Sequence, residues 1–548
     1  MNEFKVVAQG NSIRVGNDIL TNAVQASTGP IDVKINNAYF RTTTANTSLI
    51  RVDPEQKNAS LLFTGAGTDL TAASNGYIID VQGNTAAASS AASLVFDGSA
   101  KTTGLVNKTA NSTLNVGLHN NSTWTLAEKT SGAVATSTFT NVSMTAGSTL
   151  NAFKPGAAAF LMQGQDVGSS ASTMNLVDTE PNDVLTLSLT GGSSTYAASD
   201  GAMLRVDTCM GNDSAPSDVL KVNGNVSGVT TLQVNPATLA GSSCGGALTT
   251  GNGILVVQVT GESPVGSFVL EGGTITSGYF VYDLVQVGKD WYLQSKALTG
   301  TLTVKKVVTA PVGAPAFSGS FPYTFTCTTP DSTGEGTIAV TDSQGSVSHT
   351  LQAGSQCAVE EGLLPSAPVG YKWASPVVTQ PTGVIPPEGE QVATITNTLL
   401  ALPVATVVCN PATLTDSEGQ VSTCTVTLSA PAPANGLPIA ITPPTSNPRY
   451  TATTCTSPLT VAAGATTASC TITAVANTVV GDGDVVATLA LLAGEGYMLG
   501  EPHSATVTVQ DDDKAAGTPT PIPTLGQWSL MLLGLGIAGL AARRRRLH

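Results

Sequence analysis

At 548 residues the chain is too long for a single hydrophobic core, and three or four domains are expected. Charged residues are 11% and aromatics 5%, while Gly, Ala, Ser, Thr, Asn and Val abound, a composition that suits short strands and turns better than helices. The formal charge is −14; setting aside the four terminal arginines leaves 19 basic against 37 acidic residues, or −18, which argues against nucleic acid as a partner.

Eight cysteines fall in sequential pairs, Cys209 and Cys244, Cys327 and Cys357, Cys409 and Cys424, Cys455 and Cys470. They form no Cys-x-x-Cys cluster, and the four histidines are scattered, so disulfides formed in an oxidising compartment explain them better than zinc does. About 105 pairings are open; neighbour pairing is preferred because it keeps each bond inside one domain. Export requires a leader, and MNEFKVVAQGNSIRVGND contains no apolar core of that kind. The expectation is a true start further upstream.

Residues 1–200 show short apolar alternations separated by Gly, Asn, Ser and Thr. SLLFTG at 60–65 returns as SLVFDG at 93–98, and IRV at 50–52 is echoed by IDV at 79–81. Echoes of irregular spacing suit a solenoid whose loops vary while its rungs stay similar. A β-sandwich uses the same short alternating strands and stays open as the alternative. Asp32, Asp53, Asp80 and Asp97 fall where strands end or break, so turn formation explains them before catalysis does.

NSTWTLAE at 121–128, SDVLKVNGNVSGVTTLQV at 217–234, GNGILVVQVTG at 251–261 and SGYFVYDLVQVGKDWYLQS at 277–295 resemble an autotransporter passenger of the pertactin kind, the last three its C-terminal folding nucleus. The resemblance implies a right-handed parallel β-helix over 1–200 closed by a cap over 201–298. A cap is needed physically, because a last rung without one offers an open strand edge. Tyr279, Tyr282, Trp291 and Tyr292 are read as its core, with a carbohydrate-stacking site as the alternative. No run of alternating segments suited to a membrane barrel follows Ser295.

From 299 to 400, TLTVKKVV, PYTFTCTT, GTIAVTD, QCAVEEG and ATITNTL suit a small sandwich and resemble the prealbumin-like repeats of bacterial surface stalks, akin to collagen-adhesin B-type repeats. That family can join a Lys on the first strand to an Asn on the last, helped by a buried carboxylate. Parity selects Lys306 (with Leu302 and Val304), Asn397 (with Ile395) and Glu361 (with Cys357 and Val359) as inward-facing. The chemistry needs a protonated acid and a neutral, nucleophilic amine. Ordinary exposed Lys and Glu with a turn-forming Asn is the alternative.

Residues 401–513 carry ATVVCNPATLTDSEGQVSTCTVTLSAP and SATVTVQDDD, which resemble a Calx-β sandwich. Some members bind calcium, so Glu418, Asp482, Asp484, Asp511, Asp512 and Asp513 become candidate ligands and calcium the one cofactor admitted. A solvated acidic linker is the other reading. KAAGTPTPIP then forms a Pro-rich spacer before 525.

Leu525 to Ala542 is eighteen residues without a charge, near the lower limit for a membrane-spanning helix, and Arg543, Arg544, Arg545 and Arg546 follow it as a cytoplasmic-side block. Ile522-Pro523-Thr524-Leu525, Trp528, the apolar span and the arginines resemble IPTL-type C-terminal sorting signals of Gram-negative bacteria, relatives of the PEP-type signals. The class implies an inner-membrane intermediate, a sorting protease as partner, and delivery to the surface or extracellular matrix.

The fold expected is therefore all-β: a right-handed parallel β-helix with a C-terminal cap, two β-sandwiches (299–400 and 401–513) and one C-terminal transmembrane helix (525–548). No His-Glu-x-x-His motif is present and the four histidines are too scattered to serve as a base for a nucleophile, so no enzyme is expected. The function expected is a surface-displayed, membrane-tethered adhesin-like or structural protein with an unidentified surface or glycan ligand. A secreted glycan-active β-helix enzyme and a passive biofilm-matrix or coat component are the alternatives.

Overall fold

A computed structural model describes residues 13–15, 31–37, 39–42, 45–52, 58–83, 90–129, 134–156, 158–238 and 243–514. These residues are all-β, and among them no helix is long and apolar enough to cross a membrane. The transmembrane span and the sorting residues Ile522, Pro523, Thr524, Leu525, Trp528 and Arg543 to Arg546 lie outside the described residues.

Among the described residues, every ladder joining two strands between 13 and 270 is parallel, each strand pairing with one from the neighbouring coil, and one isolated antiparallel bridge joins Thr208 to Ser217. One ladder climbs through Ile31–Asn36, Ala59–Thr64, Ala91–Asp97, Thr113–Leu118, Asn141–Thr145 and Asp166–Ser170 to Thr195–Thr208 and Asn225–Pro236. A second runs through Tyr39–Arg41, Asp69–Thr71, Lys101–Thr103, Thr123–Thr125, Thr149–Asn151 and Thr173–Asn175. The third begins with Ile13–Val15, Ile50–Val52, Tyr77–Val81 and Leu105–Lys108, and resumes at Ala135–Thr138. At the break, Val106 and Lys108 donate their N–H groups to the hydroxyls of Ser137 and Thr138 instead of to main-chain carbonyls.

The sequence echoes are adjacent rungs: Leu61 pairs with Leu94, Phe63 with Phe96, Ile50 with Ile79 and Val52 with Val81. Their side chains are buried on one face, and the Phe63 and Phe96 rings stack at 5.8 Å. In each coil the turn from the first ladder to the second passes through the left-handed region, at Asn37, Gly65, Asn120, Ala146 and Asp200 among others. At Gly147 the constraint is also spatial, because a Cβ there would lie 2.3 Å from Asn121 Oδ1. Asp97 accepts from Gly98 N–H and from Asn120, the turn role expected of it; Asp80 accepts from Gln82 and Asn107; Asp53 lies outside the described residues.

The parallel stack ends where Ile254–Val259 takes an antiparallel partner, Asp290–Ala297, followed by Phe280–Val287 and Thr274–Ser277. Tyr282 and Trp291 are core there. Tyr292 is only partly buried, and Tyr279 departs from the expectation of a core residue: it is 38% exposed, with its ring against Gly354 of the next domain.

Two sandwich-like units with separate cores follow. In the first, Gln344–Gln352, Thr299–Thr309 and Glu390–Ala401 form the centre of one sheet, and Ser332–Val340, Gly319–Thr328 and Gln356–Glu361 form the other. In the second, Val404–Asn410, Val421–Leu428 and Thr467–Ala474 face Ser504–Gln510 and Val485–Leu491. All four neighbour disulfides form as expected.

One corner of the parallel stack holds three fully buried aspartates. Asp183 accepts from the N–H of Ala158 and Lys154, Asp218 from those of Asn182, Asp183 and Asp207, and Asp207 from those of Asp178 and Thr179. The nearby Lys154 ammonium is paired with Glu128 at 2.6 Å instead. Burial first, and then neighbouring carboxylates, push Asp183 and Asp218 up to about 7. The folded chain therefore keeps protons that an unfolded chain, with its ordinary value of 3.8, has already released. This contribution to stability is full below about pH 4 and is lost as pH rises through about 7. Melting temperature measured from about pH 5 to 7.5 should fall in the wild type and fall less in Asp183→Asn; equal slopes would refute the linkage.

Candidate functional site

Lys306 lies on Thr299–Thr309 and Asn397 on Glu390–Ala401, adjacent parallel strands whose register pairs Lys306 with Ile395 and Val308 with Asn397. The alternation of each strand turns both residues inward, and both have no exposure. Glu361, the last residue of Gln356–Glu361 in the facing sheet, completes the group; its side chain is 2% exposed. The Lys306 ammonium nitrogen contacts Glu361 Oε1 and Asn397 Oδ1 and sits 4.2 Å above the Phe321 ring. All three residues selected by parity therefore meet in one dry site.

Desolvation lowers the Lys306 pKa, against the opposing pull of Glu361. Asn397 Nδ2 and Glu361 Oε2 are buried without a hydrogen-bond partner. A buried amide nitrogen with no partner is costly in an ordinary core. Here it belongs to a carboxamide that an amine contacts, with a carboxyl on that same amine, the three groups an amide-forming site needs. Phe321 was not recognised from sequence, since its contact depends on how the two sheets face each other.

The acidic end of the second sandwich is organised differently from the expected ligand set. Carboxylate oxygens of Asp416, Asp511 and Asp513 lie within 4.8 Å of one another. Asp416 was missed, although it stands directly before the Ser-Glu-Gly that drew attention. The Asp512 N–H and then the Arg449 guanidinium hold Asp416 below the usual carboxylate range. Burial and the surrounding carboxylates raise Asp513, whose Oδ2 is buried and unpartnered. Arg449 bonds Asp416 at 2.7 Å and Asp482 at 2.5 Å, so a tethered cation already neutralises part of the cluster. Asp484 accepts from Asp511 N–H, and Asp512 from Ser417, while Glu418 is exposed and joins none of these bonds.

Three stretches of the chain match family models. The family "Autochaperone Domain Type 1" matches residues 165–284, a domain of unknown function (DUF5979) matches 302–399, and the IPTL-CTERM motif matches 520–546. The chain is 32% identical over 127 residues to the uncharacterized protein YdeU of Escherichia coli K12, covering 22% of this chain and 24% of that one. It is 35% identical over 104 residues to the probable autotransporter YfaL of the same organism, covering 18% and 8%. The chain thus spans a quarter or less of the curated relatives' length. Among solved structures, BcpA, the major pilin subunit of Bacillus cereus, aligns with 39% of this chain and 69% of its own at 14% identity and a TM-score of 0.20. The autochaperone match, the sorting motif and the autotransporter relative point to export to the cell surface.

Proposed function

We propose that this protein is a surface fibre or adhesin in which a right-handed parallel β-helix is carried on a covalently braced stalk, with no catalytic turnover of its own. The parallel ladders that join successive strands from 13 to 270 support the β-helix reading over a sandwich. Its fully buried carboxylates, Asp183, Asp207 and Asp218, all cap backbone N–H groups, which leaves them ill placed for acid–base work on a glycan. The ligand class in this reading is a surface or glycan component. The tail at 520–546 would hold the exported chain in the inner membrane until a sorting protease acts.

The observation that carries the stalk reading is the Lys306, Glu361 and Asn397 group, buried across the first and last strands of residues 299–401. Lys306 Nζ would attack Asn397 Cγ, the bond from Cγ to Nδ2 would break, and one ammonia would leave, with Glu361 relaying the proton. Because the two strands are parallel neighbours, tension applied at 299 and 401 shears them, and the amide would carry that load directly. The intact mass should be lighter by one ammonia than the disulfide-bonded sequence requires, and Glu361→Gln should restore the full mass. Pulling Glu361→Gln should release the 91-residue separation less the 30 residues that the Cys327–Cys357 disulfide keeps closed, an extra length of about 200 Å that the wild type withholds. A wild-type mass with no ammonia lost would remove the bond from the molecule.

A second reading concerns calcium, favoured by the convergence of Asp416, Asp511 and Asp513. With Arg449 already in place, the affinity expected is weak. Millimolar calcium should raise the melting temperature and release heat, and Asp511→Asn should abolish both effects; no response in the wild type rejects the site.

A further inference from the structure

The two reactants and their helper reach the stalk site by different routes. Lys306 and Asn397 belong to one sheet, and the main-chain ladder from Thr301 paired with Glu390 to Thr309 paired with Thr398 brings them together. Glu361 comes from the opposite sheet, at the end of a six-residue edge strand whose ladder is to Gly319–Thr328. A slip of one residue there would turn Glu361 outward, and short edge strands specify register weakly. Two features fix it. Gln380 grips Val359 through both its N–H and its C=O, at 2.8 and 2.6 Å. The disulfide from Cys327 to Cys357 joins directly paired residues of that ladder, in which Tyr323 faces Glu361.

We propose that the Cys327–Cys357 disulfide is a positioning element for the amide bond between Lys306 and Asn397, so that the stalk locks covalently only after the chain has met an oxidant. This inference rests on the isopeptide reading above. Disulfide formation passes two electrons and two protons from the cysteines to a disulfide oxidant, which leaves as two thiols. Amide formation then needs no redox partner, since amine and carboxamide give a secondary amide and ammonia. The consequence is a compartment check: the chain stays extensible in a reducing interior and becomes inextensible outside. A helper displaced by about 1 Å typically costs about 10²-fold in rate, which sets the scale of the gate.

The test uses the full chain made in a reducing cytosol, read by intact mass and thiol alkylation before and after addition of oxidised glutathione. Wild-type chains should carry free Cys327 and Cys357 and their full ammonia, then lose ammonia at a measurable rate once oxidised. Cys327→Val paired with Cys357→Val keeps the packing without the covalent register. In a folded preparation it should lose ammonia about 10²-fold more slowly, while Cys409→Ser paired with Cys424→Ser should react at the wild-type rate. Ammonia loss at the oxidised rate from chains whose Cys327 and Cys357 are still thiols, or a wild-type rate in the valine pair, overturns the gate. Oxidised wild type that never loses ammonia refutes the isopeptide reading beneath it, a different result from either.

Discussion

Main-chain hydrogen bonds between parallel strands carry the chain from residue 31 to residue 270, and each coil depends on the next for its backbone partners. Such a stack has no natural end, because the last rung exposes a row of unpaired groups that would recruit another chain. The switch to antiparallel pairing at Ile254–Val259 ends it, with Tyr282 and Trp291 filling the space under the final hairpin. The Tyr282 hydroxyl, which donates to the carbonyls of Gly211 and Ala247 and accepts from the Ala247 N–H, ties that hairpin to the loops held by the Cys209–Cys244 disulfide.

The alternation within strands was readable because a period of two sorts side chains by face whatever the strand pairs with. Within the resemblance to surface-stalk repeats it picked out Lys306, Glu361 and Asn397 as inward-facing, and the strand registers that pair Val308 with Asn397 and Tyr323 with Glu361 then bring them together. The repeat itself was harder to see. The buried column of Phe40, Leu70, Thr102, Trp124, Leu150, Met174, Leu204, Leu232 and Leu270 runs up the stack, yet its spacing runs from 22 residues between Thr102 and Trp124 to 38 between Leu232 and Leu270. A fixed-period search misses it. The stable signal is the turn before most members, a left-handed residue or pair followed by a small buried Ser or Ala, as at Ala100, Ser122, Ser148, Ser172 and Ala202.

Contacts set by tertiary pairing were not readable. Arg449 lies 33 residues from Asp416, and nothing in its neighbourhood marks it as the cation of the acidic end. Tyr279 illustrates the converse: an aromatic in a cap-like sequence that stays 38% exposed, one face of its ring lying against Gly354 of the adjoining unit instead of in the cap core. Cys424 pairs in register with both Cys409 and Cys470, so spacing alone could not have separated the observed disulfides from a bond between Cys424 and Cys470.

The joints between units bear on how the chain would transmit tension. The cap's last strand, Asp290–Ala297, passes through Leu298 alone into Thr299–Thr309, and Leu298 donates to the Tyr279 carbonyl while accepting from Ala353 N–H. At the far end, Glu390–Ala401 passes through Leu402, which donates to the Gly370 carbonyl, and Pro403, which accepts from Met498 N–H, into Val404–Asn410. Both joints are short and bonded on either side, so little slack separates cap, stalk and final sandwich. Force entering at one joint and leaving at the other meets the stalk along its two central parallel strands, which are also the strands that bring Lys306 to Asn397. A buried amine there is difficult to justify as packing, since a hydrophobic residue of similar volume fills a core at lower desolvation cost. It is easier to understand where the site exists to make a bond across the load.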